Sequence, residues 1–162
     1  MAYLQKATSI EEFDAYYIMK SEPAAVNWSG YAAPPNREKL REHFAHVLEN
    51  PDIFFFFLQD EESGEKMGYS QLNREGTSML FASFCLLRKF QNAGLARTLI
   101  ALSLEKAKEI GVIRMNGWIS EKNYASMRGF RSFGMNATGA TKSVHMEAFD
   151  RDDIYHEYEL YF

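Results

Sequence analysis

Cysteine is almost missing from this chain. Cys85 is the only one, so no internal disulfide can form and a reducing, cytoplasmic setting is expected. No stretch approaches the ~18 consecutive apolar residues of a membrane helix, so no membrane partner is expected. The opening residues Met1-Ala2-Tyr3-Leu4-Gln5-Lys6 lack the charged-then-apolar layout of a signal peptide, which predicts no secretory leader. A basic surplus is lacking too: 18 Lys and Arg stand against 22 Asp and Glu, interspersed, for a net charge of −4. Nucleic acid is therefore not an expected partner, because phosphate neutralisation calls for a basic face. Repeats, low-complexity tracts and linkers are absent. His43 and His46 lie three apart on a predicted helix, but no carboxylate or Cys pattern completes a ligand set, and no metal is expected.

What is present fits one mixed α/β domain over residues 1–162, long enough to bury a core without staples. Tyr3 to Ala7 reads as a first strand. Ser9-Ile10-Glu11-Glu12 has capping-box spacing and opens a helix carrying Phe13, Tyr16 and Tyr17 toward Met19. Pro23 is expected to end it, leaving Ser21 to Pro35 irregular around Trp28 and Tyr31. Asn36 caps a second helix, with Leu40, Phe44, Val47 and Leu48 at helical spacing, and Asn50-Pro51 stops it. Ile53 to Leu58 is an apolar run too short for a helix, so it reads as a strand buried on both faces. Met67 to Leu72 and Met79 to Leu87 follow across short polar turns, as in an antiparallel meander. Gly94 to Ile110 is an amphipathic helix closed by Gly111. Val112 to Ile119 should then pair parallel to the Met79–Leu87 strand. Asn123 to Phe133 is a short helix ended by Gly134, and Ala140 to Phe149 with Ile154 to Phe162 form a final hairpin.

The stretch that organises the rest is the end of the Met79–Leu87 strand and the turn after it, Gln91-Asn92-Ala93-Gly94-Leu95-Ala96-Arg97. The first turn of a helix presents N–H groups with no intrahelical partner and the positive end of the dipole, a combination that holds phosphate. Downstream, Asn123, Ser126, Phe130, Gly134 and Met135 recur at fixed offsets around a second helix. These two sets together resemble the GCN5-related N-acetyltransferase (GNAT) superfamily, over essentially the whole chain. The resemblance implies a single GNAT-like domain with a mixed, mostly antiparallel sheet. It also implies a central parallel strand pair splayed at the cofactor site and helices on both faces.

It further implies acetyl-CoA as acetyl donor. The pyrophosphate would lie on the backbone of Asn92 through Arg97, with Arg97, and Arg88 or Lys89, adding charge. Gln91, Asn92, Ala93, Gly94, Leu95 and Ala96 complete the turn. Main-chain groups of Phe84, Cys85 and Leu86 would polarise the thioester, and Asn123, Ser126 and Phe130 would border the pantetheine arm. The acceptor, by the same resemblance, would meet the loop holding Trp28 and Tyr31. The family often has Tyr, a proposed acid, where this chain has Phe130. Ser126, four residues earlier on the same helix face, is the remaining candidate to hydrogen-bond the leaving sulfur; otherwise it makes room for the cofactor. Phe130→Tyr is thus expected to raise turnover modestly.

A primary amine of pKa near 10.4 is deprotonated about once in 2,500 molecules at pH 7, so a base or a water chain is needed. The strand Met79 to Leu86 carries no carboxylate, and Glu22, His145 and Glu147 are candidates among which the sequence does not choose. Cys85 is not expected to act as a nucleophile, since a lone apolar-strand Cys behaves as a small hydrophobe. The expected activity is transfer of acetyl to a primary amine of a small molecule (amino sugar, polyamine, amino acid or antibiotic) in a ternary complex. A protein N-terminal or lysine acetyltransferase and a non-catalytic acyl-CoA-binding module are the alternatives. A homodimer is compatible with the sequence.

Overall fold

The computed structural model describes residues 1–162. Seven strands form one sheet: β1 (Ala2–Lys6), β2 (Ile53–Asp60), β3 (Lys66–Glu75), β4 (Ser78–Leu86), β5 (Arg114–Ser120), β6 (Asn136–Met146) and β7 (Arg151–Tyr161). Their order is β1-β2-β3-β4-β5-β7-β6. Every neighbouring pair is antiparallel except β4–β5, which is parallel as the strand-helix-strand order predicts. The helices are α1 (Phe13–Ser21), α2 (Pro23–Ser29), α3 (Arg37–Glu49), α4 (Leu95–Ile110) and α5 (Tyr124–Ser132). None is long and apolar enough to cross a membrane.

Helix starts follow local chemistry. The Ser9–Glu12 capping box is formed, opening a single 3-10 turn that runs into α1. Asn36 accepts from the Lys39 N–H at 3.0 Å and Asn123 from the Ser126 N–H at 3.2 Å. The stretch expected to be irregular from Ser21 to Pro35 is in fact interrupted by α2. Pro23 does end α1, but it also occupies the first position of a new helix, where its missing N–H costs nothing and its fixed φ is already helical.

Two apolar layers hold the sheet. On one face Leu99, Ile100, Leu104 and Ala107 of α4 and Phe130 of α5 pack on Leu58, Leu72, Met79, Phe81 and Met115. On the other, Phe13, Tyr16 and Met19 of α1 and Leu40, Phe44 and Val47 of α3 pack on Phe55, Phe57 and Tyr69. Successive side chains of a strand alternate faces, and β2 shows this with Phe56 and Leu58 in the first layer and Phe55 and Phe57 in the second. It is the doubly buried strand expected from the Phe run. Tyr16 meets Phe55 and Tyr69 edge-on at 5.0 and 5.2 Å, a geometry that aligns ring edges with ring faces.

One irregularity decides what the site can be. Along β3, Gln71 pairs with Ser83 but Leu72 pairs with Phe81, so Ala82 is an extra residue in β4. Before this bulge Met79 and Phe81 face α4 and α5; after it Phe84 and Leu86 do, and Cys85 and Leu87 pack on the α1/α3 layer. The parity of the strand is switched. Beyond this point β4 also leaves β5: the two pair only from Ser78 to Leu80 against Arg114 to Asn116. At the far edge β6 begins at Asn136, four residues before the expected Ala140, and ends at Met146. A register shift between Ala137 and Thr141 lets it start early.

Candidate active site

The gap left between β4 and β5 opens into a cavity of about 420 Å³ that passes through the sheet. From the α4/α5 face, Phe84, Leu86, Ala96, Ser126 and Phe130 line it. From the α1 side come Lys20, Glu22, Trp28, Tyr69, Cys85 and Tyr155. Splaying two strands that stay joined at one end thus makes two half-chambers meeting at the unpaired edge of β4.

On that edge the backbone is fixed. The Leu87 N–H bonds the Met67 carbonyl at 2.9 Å. Antiparallel alternation then directs the Cys85 and Ser83 main-chain groups to β3 and those of Phe84 and Leu86 into the gap. β3 and β4 approach closely here: a Cβ on Gly68 would lie 2.2 Å from the Cys85 carbonyl oxygen, so only glycine fits. The Leu86 carbonyl accepts from the Gln91 side-chain amide at 3.1 Å, which ties the following turn back to the strand end.

In that turn, a 3-10 segment (Arg88–Phe90) leads to Asn92 at φ +65° and Gly94 at φ +77°. Left-handed residues set among extended and helical ones curl successive N–H groups toward one side, making an anion-binding concavity. The Gln91 N–H goes to the Arg88 carbonyl and the Thr98 N–H to the Gly94 carbonyl. No N–H from Asn92 through Arg97 has a partner within the chain. A second groove, between α4 and α5, continues from the cavity through Phe84, Ala96, Ala125 and Ser126, and three guanidinium groups line it: Arg97, Arg128 and Arg131. Arg128 and Arg131 escaped the sequence reading. Their i, i+3 spacing on α5 joins Arg97 only once α4 and α5 are packed side by side. Lys89 instead pairs with Glu65 across the β2–β3 turn.

Most of the residues singled out from the sequence converge. Phe84, Cys85, Leu86, Gln91, Asn92, Ala96, Asn123, Ser126, Phe130 and Trp28 line the cavity, and Arg97 lines the groove. Ala93, Gly94 and Leu95 form the turn between them without lining either. Tyr31 does not belong. It is 57% exposed beyond the end of α2 and outside the cavity, because α2 sets Trp28, itself half-exposed, at the cavity rim and carries the chain past.

Phe130 is 1% exposed, held among Phe81, Phe84 and Tyr158 and seated over Gly117, where a Cβ would lie 2.7 Å from its ring. The Tyr155 hydroxyl donates to the Trp28 carbonyl at 3.4 Å and the Ala148 N–H to the Gly30 carbonyl at 3.1 Å. These bonds draw the β6–β7 hairpin over the α2 side. Trp118 and Tyr155, also missed, follow from period-2 alternation on β5 and β7 once the sheet order is known.

Of the three carboxylate and imidazole candidates, only Glu22 lines the cavity. It accepts from the Arg88 N–H at 2.9 Å. His145 is 2.9 Å from Asp152 on the exposed hairpin, and Glu147 is on the 3-10 turn beside it. Burial, with the charge of Glu22 adding to it, pushes the Cys85 thiol up to about 11. Burial also lowers the pKa of Lys20.

No curated protein matches the chain in sequence. In structure it is similar to an N-acetyltransferase from Staphylococcus aureus Mu50, with TM-score 0.79 at 19% identity, covering 99% of this chain and 98% of that one. It is similar to a GNAT superfamily phosphinothricin acetyltransferase from Sinorhizobium meliloti in complex with AcCoA, with TM-score 0.80 at 16% identity over 99% and 88% of the two chains. It is also similar to the ribosomal-protein-alanine N-acetyltransferase from Brucella melitensis, with TM-score 0.77 at 20% identity over 98% and 99%. At such identities the shared property is the fold. The sequence itself matches the acetyltransferase (GNAT) domain over residues 3–136, and the chain therefore belongs to the GNAT family of acyltransferases.

Proposed function

We propose that residues 1–162 act as one domain, an acetyl-CoA-dependent N-acetyltransferase that moves acetyl to the primary amine of a small molecule in a ternary complex. The observation that carries this reading is the through-sheet cavity joining the unpaired N–H groups of Asn92 to Arg97 to a chamber on the opposite face. Acetyl-CoA, as donor, supplies the thioester. The turn fits its pyrophosphate, with unsatisfied N–H donors at a helix start and Arg97 and Arg128 alongside. The Phe84 N–H, directed into the gap, is the main-chain donor suited to the thioester carbonyl. A cavity of about 420 Å³ is of small-molecule size.

Glu22 is the group we assign to the amine proton. The acceptor ammonium gives its first proton to the Glu22 carboxylate, and the free amine attacks the carbonyl carbon. The C–N bond forms, the C–S bond breaks, and the nitrogen's second proton ends on the departing sulfur, near Ser126. Amide, CoA thiol and one proton result.

Coenzyme A tests the donor half. At a hundredfold excess over its Kd, ligand binding adds about 2.7 kcal/mol, which for a chain this long raises Tm by roughly 5–10 °C. No shift would overturn the reading. Glu22→Gln keeps an acceptor for the Arg88 N–H while removing the base. Its kcat should fall about a hundredfold with the CoA-induced shift intact. A loss under threefold would remove Glu22 from the role.

A further inference from the structure

The acceptor side of the cavity holds an ammonium with nothing to answer it. Among the residues lining the chamber, only Lys20 and Glu22 carry a formal charge. Glu22 is engaged with the Arg88 N–H and, on the reading above, with the acceptor amine. The Lys20 ammonium, in the last turn of α1, takes part in none of the chain's side-chain hydrogen bonds or ion pairs. Lys20 is half-buried at the cavity wall, near the Cys85 thiol and the His43 ring, and neither is an anion at neutral pH. Its ammonium keeps contact with water through the cavity; an acceptor that fills the chamber removes that water, and a charge so withdrawn needs a partner. This chain has carboxylates to spare, 22 against 18 cations, and uses them on Arg37, Arg74, Lys89, Lys106, Arg114 and Lys122. None is set beside Lys20.

We propose that Lys20 is a specificity-determining residue whose partner is the acceptor itself: an amine that also carries a carboxylate, as a free amino acid does. Glu22 and Lys20 then form a two-point site of opposite charge that reads ammonium and carboxylate together. The inference rests on the acetyltransferase reading. It narrows the acceptor from any small amine to a zwitterion, and it disfavours polyamines, whose second charge would face Lys20 with like sign. The remaining wall, Trp28, Trp118 and Tyr155, is aromatic and suits an apolar side chain.

The test is acetyl-CoA-dependent thiol release with the twenty L-amino acids, each compared with its amide and its decarboxylated amine, and with spermidine. The best amino acid should exceed its decarboxylated amine in kcat/KM by at least tenfold, mainly through KM. Lys20→Met should bring the two acceptors within about twofold of each other, and Lys20→Arg should keep part of the preference. Both variants should retain the wild-type rise in Tm with CoA, which certifies the fold and the donor site. Equal use of the decarboxylated amines, or a preference unchanged in Lys20→Met, overturns the role of Lys20 while leaving the acetyltransferase reading intact. CoA stabilisation without thiol release from any acceptor overturns both.

Discussion

Cys85 stands on the strand edge where the two half-chambers meet, yet its chemistry is that of a packed apolar side chain. A thiol pushed up to about 11 is almost wholly protonated at neutral pH. Cys85→Ala should keep acetyl transfer within about threefold, and Cys85 should alkylate far more slowly at pH 7.5 than a free thiol. Complete loss of turnover in that variant would point to an acyl-enzyme instead. The same shift has a sign for stability. Between the thiol's ordinary 9.0 and about 11 the unfolded chain releases this proton and the folded chain does not, so stability contributed here falls as pH rises through that window.

Phe130 carries a comparable lesson. Its ring lies against the backbone of β5 at Gly117 and is 1% exposed, so a para-hydroxyl would enter a tight, apolar place. The modest gain expected of Phe130→Tyr from sequence therefore meets an opposing cost. The variant should lose about 1–3 kcal/mol of stability, the range for a buried polar group without a partner, measured by urea denaturation. These residue-scale facts were not legible beforehand. A one-letter code shows that Phe130 lacks a hydroxyl and that Cys85 sits in an apolar strand; it does not show what either ring or thiol leans on.

The elements themselves were largely readable where periodicity and capping agree. The capping box at Ser9, the caps at Asn36 and Asn123, the strand-turn-helix at Leu86 to Leu95 and the parallel return of β5 all follow from local chemistry. α2 is hidden in the sequence because Pro23 signals both an end and a beginning. The close approaches were hidden for another reason: Gly68 and Gly117 look like ordinary strand glycines until the facing strand or ring is known. Their consequences differ. Gly117→Ala drives a Cβ to 2.7 Å from the Phe130 ring, a side chain that can be shortened, so Phe130→Leu in the same chain should recover part of the lost stability. Gly68→Ala meets backbone at 2.2 Å, and no side-chain change should rescue it. Thermal unfolding of the two singles and the double reads both outcomes.

At the scale of the molecule the sheet has unlike halves. β2 to β4 are covered by helices on both faces, whereas β5, β7 and β6 turn one face of charge and amide outward from α4 and α5. There Arg114 joins Glu159 at 2.7 Å and Glu157 at 3.4 Å, and Asn116 donates to Glu157 at 2.9 Å. Bonds from Lys122 and Arg151 hold the Asp153 carboxyl below its ordinary range against the opposing effect of burial. Burial raises Glu157, but Asn116, Thr138 and Arg114 outweigh it and leave its pKa lowered. Groups depressed in the folded state stabilise above their unfolded pKa and lose that contribution as pH falls. Tm should therefore decline below about pH 4, and Asp153→Asn should flatten that decline, as circular dichroism between pH 7 and 3 would show.

The bulge at Ala82 bears on how such a molecule can change over generations. Side chains of a strand alternate faces, and the bulge sets which positions answer to which chamber: Phe84 and Leu86 to the side of α4 and α5, Ser83 and Cys85 to the side of α1. Substitutions can adjust either chamber while sparing the other, so the two specificities are free to drift apart. A lineage that lost Ala82 would exchange the two sets at once. Along this strand, descent can proceed by replacement but not by shortening.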